Sequence, residues 1–419
     1  MKKKHHGKYK MNCRYCNNEL KYVFVDLGET PLANSYLKKE EFEKKENSYP
    51  LRVFVCSKCF LVQLEEFKSP KEIFSEYAYF SSFSEKWLEH AQKFVENMVD
   101  RFNLDNQSKI LEIASNDGYM LQFFKKKGIP VLGIEPATNI SKIANEKGIP
   151  TITEFFGSDT AEKIILKKEK QDIVVAFNVL PHTPNPRDFI LGLKKITKNN
   201  GIIVLQFSAY LPTLISNIEF DTIYHEHFSY FSLLTLKKIF SEFNLEIFDV
   251  EELNIHGGSL RLYIKHSKNS HFKIENSVLE KIENEREKGL DNILTYEKFQ
   301  SRVEEKKRDV IKFLEELKLK NKVVVGYGAP AKACTFLNYC EIDKNIISFT
   351  VDKSTYKQGL HLPSTHIPIF NPEKIFEEKP DYVLILAWNL KDEIMEQMKN
   401  IKDWGGKFLV FIPKIEVIS

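Results

Sequence analysis

Residues 222–232, TIYHEHFSYFS, bring together several side chains that can move or steer a proton. Histidine titrates near neutrality, so it can take a proton from a bound substrate and hold it. A neighbouring carboxylate or tyrosine hydroxyl can orient the imidazole and stabilise its charged form. Two histidines and a glutamate are also metal ligands, and many surface loops are polar without a catalytic role. The stretch therefore predicts a catalytic base, with a metal site and a polar loop as the alternatives.

Four of the six cysteines form two CxxC pairs near the start of the chain. Each pair presents two thiolates at a spacing that tetrahedral zinc accepts, and two pairs complete a closed site. In a reducing compartment this pattern favours a structural zinc site, with two redox or incidental pairs as the alternative. Cys334 and Cys340 have no such spacing and are expected in the core. The predicted zinc ligands are Cys13, Cys16, Cys56 and Cys59.

The charge balance excludes a strongly basic or acidic protein. The 419 residues carry 61 Lys and Arg against 58 Asp and Glu, so nothing points to nucleic acid or an anionic membrane as a partner. No apolar run follows the basic start MKKKHHGKYK, which argues against a secretory signal and a membrane span. We therefore expect a cytoplasmic protein of roughly two or three domains. Its oligomeric state stays open, and a monomer is compatible with the composition.

The distribution of apolar runs predicts three domains. Short strand-like runs lie between and after the cysteine pairs in residues 1–72, and a core this small suits a metal clip. Apolar strands alternate with amphipathic helices in residues 73–268, which predicts a doubly wound parallel sheet closed by an antiparallel hairpin. Charged helices and a second alternation predict a smaller α/β domain in residues 269–419. The strands predicted for the central sheet are KILEIAS (109–115), VLGIEP (131–136), DIVVAF (172–177) and GIIVLQF (201–207), with LEIFDVEEL and SLRLYIKHS as the hairpin.

LEIASNDGYML has the pattern of a strand, a tight turn and the start of a helix. Ligands of open parallel sheets bind at the carboxyl ends of the strands, and Gly118 lets the backbone approach a ligand closely. Glu135, at the end of the next strand, is placed to accept hydrogen bonds from ribose hydroxyls. A dinucleotide site needs three glycines, whereas Ala114 and Asn116 accompany a single glycine here, so S-adenosylmethionine matches better. A turn glycine with a surface glutamate is the alternative.

The stretch TIYHEHFSYFS lies between the predicted strand GIIVLQF and the predicted helix LLTLKKIFSEF. Ser232 is the expected N-cap of that helix. The stretch is therefore predicted on the same rim of the sheet as the cofactor turn, which favours the catalytic interpretation.

VVVGYGAPAKACTF has the pattern of a second strand, glycine turn and helix. Backbone N–H groups at a helix N-terminus bind anions, and Lys332 lies in the first turn after Gly328. We therefore expect a cradle for the diphosphate of a nucleotide-sugar, with a second dinucleotide site and a purely structural turn as the alternatives. Lys357 is expected to line the same cleft, and Arg261 could pair with phosphate or bridge two domains.

The motifs EIASNDGYML, GIEPA, FNVLPHTPN, YHEHFSYFS, HGGSLRLY, GYGAPAKA and VDKSTYKQGLHLPSTHIPI follow one another behind the four-cysteine segment. Together they resemble the three-domain sugar C-methyltransferases, and the resemblance covers nearly the whole chain. It implies a class I S-adenosylmethionine-dependent methyltransferase domain between a zinc-binding domain and a Rossmann-like α/β domain. It also implies a nucleotide-linked keto-deoxysugar as substrate, methylated on the carbon next to its ketone.

The resemblance assigns roles to individual residues. Matched to the family's Tyr-His-Glu-His pattern, His227 is the base, and Tyr224 and Glu226 are its partners or ligands of the sugar. His182 resembles the family's further active-site histidine and is the candidate for stabilising the enolate. Pro181 replaces the usual small residue before that histidine.

The remaining candidates come from the same motifs and from EYAYFSSFS. One of Tyr77 and Tyr79 is expected to reach the sugar, with core packing as the alternative for each. Glu112 and Asn178 are further candidates for cofactor binding, and His225 for substrate binding.

Three other functions compete with sugar C-methylation. An O- or N-methyltransferase on the same scaffold needs no proton abstraction from carbon. A nicotinamide-dependent nucleotide-sugar oxidoreductase would use both glycine turns. A non-enzymatic zinc scaffold leaves the YHEH cluster and both turns unexplained.

Overall fold

The computed structural model describes residues 11–74, 80–255 and 257–419, so the predicted sugar contacts Tyr77 and Tyr79 lie outside the described residues. Within these ranges the chain folds around three sheets of four, seven and six strands. Each described helix is too short or too polar to cross a bilayer. The strands are β1 Tyr22–Thr30, β2 Tyr49–Val55, β3 Val62–Leu64, β4 Ile110–Ile113, β5 Val131–Ile134, β6 Thr151–Ile152, β7 Gln171–Phe177, β8 Thr197–Ser208, β9 Ser229–Tyr230, β10 Leu245–Leu253, β11 Ser259–His266, β12 Val324–Tyr327, β13 Thr350–Val351, β14 Ile369–Phe370, β15 Tyr382–Ile385, β16 Lys407–Val410 and β17 Glu416–Ile418. The helices are α1 Pro70–Phe74, α2 Glu85–Phe102, α3 Leu121–Lys126, α4 Thr138–Glu146, α5 Ser158–Lys168, α6 Pro186–Ile196, α7 Leu211–Asn217, α8 Leu233–Glu242, α9 Asn276–Glu287, α10 Ile293–Glu297, α11 Phe299–Leu319, α12 Ala331–Tyr339, α13 Lys374–Glu378 and α14 Lys391–Gln397.

The N-terminal sheet has the order β1-β2-β3-β9 and is antiparallel throughout. Alternation along β2 buries every second side chain, as a half-buried strand requires. Its partner β1 presents Phe24, which stacks on Phe299 of α11 with ring centroids 4.4 Å apart. The fourth strand, β9, comes from the stretch TIYHEHFSYFS, so this stretch is part of the N-terminal sheet.

The central sheet has the order β10-β11-β8-β7-β4-β5-β6. The strands from β8 to β6 are parallel, while β11 runs antiparallel to both β8 and β10. The predicted doubly wound parallel sheet with an edge hairpin is therefore confirmed. The chain runs outward from β4 to β6 and then crosses to β7 on the other side of β4. This reversal opens a crevice at the carboxyl ends of β4 and β7, where ligands of such sheets bind.

The C-terminal sheet has the order β14-β13-β12-β15-β16-β17 and is parallel except for β17. This sheet confirms the prediction of a second, smaller α/β unit in the C-terminal part of the chain. Its strand order reverses between β12 and β15, which places a second crevice beyond their carboxyl ends.

The three sheets are in contact around the stretch TIYHEHFSYFS. From the C-terminal side, the hydroxyl of Thr335 on α12 donates to the carbonyl of Ile223 at 2.8 Å. Ser232 accepts a hydrogen bond from the Thr235 N–H at 3.1 Å, which confirms the predicted N-cap of α8. The stretch is thus held by elements of all three sheets.

Candidate active site

Two thiolate pairs converge on one point in the N-terminal module. The four sulfur atoms lie within 4.8 Å of one another, with Cys13 and Cys59 at 3.6 Å and Cys16 and Cys56 at 3.5 Å. Tetrahedral zinc with Zn–S bonds of about 2.3 Å holds sulfurs about 3.8 Å apart, so the donor set fits this metal. Gln63 donates to the Cys13 sulfur at 3.2 Å and helps to orient it. Four thiolates fill the coordination sphere, which makes the site structural.

The turn after β4 has the backbone conformation of a ligand-binding turn. Ala114, Asn116 and Gly118 have φ values of 53°, 49° and 79°, in the left-handed region. A Cβ added to Gly118 would lie 2.8 Å from a side-chain carbon of Ile149. Backbone conformation and packing therefore both require a glycine at position 118.

Glu135 follows β5 and lies beside this turn. Its carboxylate accepts the N–H of Asn116 at 3.0 Å and the N–H of Ala137 at 2.9 Å. Burial raises the pKa of Glu135 to about 7, although the two N–H donors oppose the shift. Each carboxylate oxygen has a second lone pair, so these contacts orient the group and leave capacity for ribose hydroxyls. The turn and the acid predicted to bind the cofactor lie side by side.

Glu112 lies in one of the two strands that border the central crevice, and Asn178 directly follows the other. Glu112 lies within β4, and burial raises its pKa well above its usual range. Asn178 directly follows β7 with a φ of 55°, and its side-chain oxygen accepts the Ser208 N–H at 3.0 Å.

Sequence reasoning missed the residues that cover the cofactor turn. The Ser81 N–H donates to the side-chain oxygen of Asn116 at 2.9 Å, and the Ser82 hydroxyl donates to the carboxylate of Asp117. Lys147 forms an ion pair with the same carboxylate at 2.8 Å. The hydroxyl-rich run SSFS at 81–84 was the available signal, but no spacing rule connects it to a turn more than thirty positions away.

The imidazole of His227 is held in one orientation. Its Nδ1 lies 2.9 Å from the carbonyl oxygen of Thr222, and its Nε2 lies 2.9 Å from the hydroxyl of Tyr224. Because a carbonyl can only accept, Nδ1 carries the proton and the Nε2 lone pair faces the hydroxyl. Burial, reinforced by nearby His182, lowers the pKa of His227 well below its usual range. The ring is therefore neutral at physiological pH, as a general base must be.

His182 lies beside His227, with ring centroids 4.7 Å apart. Its Nδ1 lies 2.8 Å from the backbone carbonyl oxygen of Glu226, so Nδ1 donates and Nε2 is unprotonated in the neutral ring. Burial lowers the pKa of His182 to about 4, which keeps the ring neutral. Its one N–H is thus engaged by the carbonyl of Glu226, and the role of His182 in stabilising the enolate stays a prediction. The carbonyl of the preceding Pro181 accepts the Phe228 N–H at 2.8 Å, which fastens the same loop.

Glu226 contacts a residue that sequence reasoning did not single out. Its Oε1 accepts a hydrogen bond from the side chain of Asn34 at 2.6 Å. Burial raises the pKa of Glu226 to about 7, and the Asn34 N–H opposes this shift. Since 192 positions separate the two residues, no local pattern could have paired them.

His225 points away from the other residues of the YHEH cluster. Its Nε2 lies 3.3 Å from the carbonyl of Pro50, and its ring packs against Tyr49 and Phe67. These contacts fasten His225 to the N-terminal module, which argues against its predicted role as a substrate ligand. Among the described residues, the four cysteines are the one group of side chains able to hold a metal ion. The metal interpretation of the cluster has no support.

Arg261 is buried in β11 with its guanidinium engaged by the central domain. It pairs with Glu251 at 2.8 Å, donates to Gln206 at 2.9 Å and lies 4.7 Å from the ring centroid of Phe94. These partners neutralise and enclose the cation, which argues against the predicted phosphate contact. The partners all belong to the central domain, so Arg261 does not bridge domains through them.

The second glycine turn carries a carboxylate. Gly328 has a φ of 96°, and the N–H of the next residue, Ala329, donates to the carboxylate of Asp352 at 2.8 Å. Lys357 lies 3.0 Å from the carbonyl oxygen of Ala329 and 3.4 Å from Asp352. The Ala329 N–H that a diphosphate would use is already engaged by the Asp352 carboxylate, which is paired with Lys357. This argues against the predicted diphosphate cradle at Gly328 and favours a ligand hydroxyl beside Asp352.

Lys332 lies near the catalytic loop, our name for the stretch TIYHEHFSYFS at residues 222–232, and not near the carboxylate of Asp352. Its Nζ lies 3.1 Å from the side-chain oxygen of Asn389 and 4.2 Å from the ring centroid of Trp388. The indole N–H of Trp388 donates to Asp221 at 2.6 Å, just upstream of the YHEH cluster. Burial lowers the pKa of Lys332, while Asp221 and Glu219 oppose the shift. Lys332 thus remains a candidate for binding a polar group of the substrate, between the C-terminal crevice and the catalytic loop.

Family models match three successive parts of the chain. Residues 13–74 match a zinc binding domain, residues 87–250 a methyltransferase domain, and residues 254–413 a C-methyltransferase C-terminal domain.

Individual relatives extend this result. The C-methyltransferase NovU of Streptomyces niveus is 33% identical over 407 residues, which cover 97% of this chain and 96% of that protein. The ubiquinone biosynthesis O-methyltransferase of Actinobacillus pleuropneumoniae is 31% identical over 116 residues, covering 25% of this chain and 47% of the relative. A crystal structure of magnesium protoporphyrin IX methyltransferase from Synechocystis PCC 6803 is 16% identical with a TM-score of 0.35, over 42% of this chain and 82% of that one.

Proposed function

Because this chain belongs to the C-methyltransferase family that includes NovU, we propose that it methylates the carbon next to the ketone of a nucleotide-linked keto-deoxysugar. It is an S-adenosylmethionine-dependent methyltransferase with an N-terminal zinc-binding domain.

The observation that carries the proposal is the orientation of His227. Its Nδ1–H is held by the carbonyl of Thr222, so the lone pair is confined to Nε2. A neutral imidazole with a fixed lone pair suits proton abstraction from carbon, a step that methylation of an oxygen or an amine does not include. The ring packs against His182, which follows β7 of the sheet that carries the cofactor turn.

The proposed step breaks the C–H bond beside the ketone and transfers its proton to Nε2 of His227. The electron pair of that bond moves toward the ketone oxygen and gives an enolate, which needs a hydrogen-bond donor. Tyr224 is the donor that the geometry favours, because its hydroxyl lies 2.9 Å from Nε2 and can turn toward a substrate oxygen. When bound, S-adenosylmethionine supplies the electrophilic methyl group that the enolate carbon accepts.

The polar residues around this position suit a sugar nucleotide. Glu226 and Asn34 offer acceptors and donors for hydroxyls, and Asp352 follows β13 at the edge of the second crevice. Lys332 adds a cation beside the catalytic loop and is the proposed contact for a substrate oxygen.

Methyl transfer from carbon-13-labelled S-adenosylmethionine to a panel of nucleotide-linked keto-deoxysugars tests the proposal. We expect the labelled methyl group on a ring carbon adjacent to the ketone, identified in the NMR spectrum by its carbon chemical shift and its long-range coupling to ring protons. A methyl group on oxygen or nitrogen, or no transfer to any keto-deoxysugar, would contradict it.

Glu135→Gln should weaken binding of S-adenosylhomocysteine about 10- to 100-fold, as the loss of a hydrogen bond to a charged group predicts. The ionised carboxylate accepts hydrogen bonds, and its pKa is raised to about 7, so wild-type affinity should fall as the pH drops through this value. Calorimetric titration of both proteins between neutral and acidic pH measures this. An affinity of the wild type that is independent of pH, or equal to that of the variant, would remove Glu135 from the cofactor site.

A further inference from the structure

The N-terminal zinc module contributes a side chain to the edge of the proposed active site. Asn34 lies in the segment after β1, and its amide donates to Oε1 of Glu226 at 2.6 Å. Glu226 is 5% exposed, whereas Asn34 is exposed, so the contact joins a surface side chain to a buried carboxylate. Among the described residues, Oε2 of Glu226 has no hydrogen-bond partner. One oxygen of this carboxylate is therefore held and the other is available to a ligand.

The segment that carries Asn34 is fixed by the C-terminal domain. Leu37 and His361 exchange two backbone hydrogen bonds of 3.0 and 2.9 Å. The hydroxyl of Tyr36 donates to the carbonyl of Ala329 at 2.6 Å, and Ala33 is buried. The backbone is thus anchored before and after Asn34, and an anchored backbone allows its side chain to hold a neighbouring group in place.

The catalytic loop is attached to the same module from its other side. Strand β9 pairs with β3, matching Tyr230 with Val62, and His225 donates toward Pro50. Glu226 and His227 therefore lie between two points where the loop is joined to the zinc module. The carbonyl of Glu226 also accepts from His182, which packs against the His227 ring.

We propose that Asn34 is a positioning residue that aims Glu226 at the bound sugar, so that the zinc module completes the active site. This inference rests on the proposed function, because it assigns Glu226 to that substrate. The amide fixes the rotamer of the carboxylate and favours its ionised form, so that Oε2 can accept a sugar hydroxyl. Zinc then contributes to turnover through the geometry of one residue as well as to the stability of the module.

Asn34→Ala should lower kcat/KM about 10-fold or more, as the loss of a hydrogen bond to a charged group predicts. Zinc content, melting temperature and affinity for S-adenosylhomocysteine should match the wild type. Asn34→Asp keeps the shape but places a second carboxylate beside Glu226, and it should lose at least as much activity. Asn47→Ala is the control, since Asn47 is an exposed asparagine of the same module.

A double-variant cycle separates positioning from a general structural effect. If Asn34 acts through Glu226, Asn34→Ala should have no further effect on kcat/KM in a Glu226→Ala background. A full additional loss in the double variant, or an Asn34→Ala protein with wild-type kcat/KM, would overturn the inference.

A titration readout keeps the inference testable if no nucleotide-sugar is methylated, an outcome that would refute the proposed function alone. Infrared difference spectra against Glu226→Gln report the protonation of Glu226. Asn34→Ala should raise the pKa of Glu226, because the lost N–H stabilises the carboxylate. The ionisable neighbours His182, Tyr224 and His227 are unchanged by this substitution. A Glu226 titration that is the same in both proteins would refute the Asn34 contact.

Discussion

Replacing His227 with alanine should lower kcat about 10²- to 10⁴-fold, the range in which a positioned general base contributes. The variant lacks Nε2, the one atom whose lone pair is fixed by the hydrogen bond from Nδ1 to Thr222. Cofactor affinity should be unchanged, because Gly118 and Glu135 belong to the loops that follow β4 and β5. Steady-state kinetics with the nucleotide-sugar that serves as substrate measure kcat. Calorimetric titration with S-adenosylhomocysteine measures the cofactor affinity.

His271→Ala is the matched control for this variant, since His271 is an exposed histidine outside the site. It should retain wild-type turnover. A His227→Ala protein that turns over within a factor of a few of the wild type would show that another group takes the proton.

Cys56→Ser should release zinc and unfold the N-terminal module. Structural zinc sites contribute about 10–16 kcal/mol to folding in zinc-finger peptides, far more than a four-stranded sheet of this size can replace. Methyl transfer should be lost as well, because β3 holds β9 and the segment after β1 holds Glu226. Elemental analysis measures the zinc content, and hydrogen exchange over residues 22–64 reports unfolding of the module. The activity assay measures methyl transfer.

Cys340→Ala is the control for the zinc site, because Cys340 is a buried cysteine of the C-terminal domain. It should keep its zinc, its exchange protection in residues 22–64 and its activity. A Cys56→Ser protein that retains stoichiometric zinc and full methyl transfer would contradict the role assigned to the four thiolates.

Local patterns carried the fold prediction. Apolar runs such as DIVVAF can be recognised as buried parallel strands because both faces of β7 are covered, and the burial along this strand agrees. The cysteine spacing identified four residues that do meet, because the chemistry of zinc sets that spacing. The domain boundaries at 72 and 268 remain predictions.

Contacts between distant parts of the chain could not be predicted in this way. Arg261 was expected near phosphate because of its charge, yet Glu251 on the neighbouring strand takes that charge. The two histidines of YHEH have different partners, because His225 contacts Pro50 of the zinc module while His227 contacts Thr222 and His182. Asn34 had no signal beyond its residue type, and only the tertiary structure brings it to Glu226.

Exchange of substrate hydrogen with deuterated solvent tests the role of His227 without requiring methyl transfer. The enzyme is incubated in D₂O with S-adenosylhomocysteine and the keto-deoxysugar nucleotide, and proton NMR follows the position beside the ketone. We expect the wild type to exchange this hydrogen much faster than buffer alone, and His227→Ala to exchange it at the buffer rate. An unexchanged position in the presence of the wild type, or equal exchange by both proteins, would contradict proton abstraction by His227.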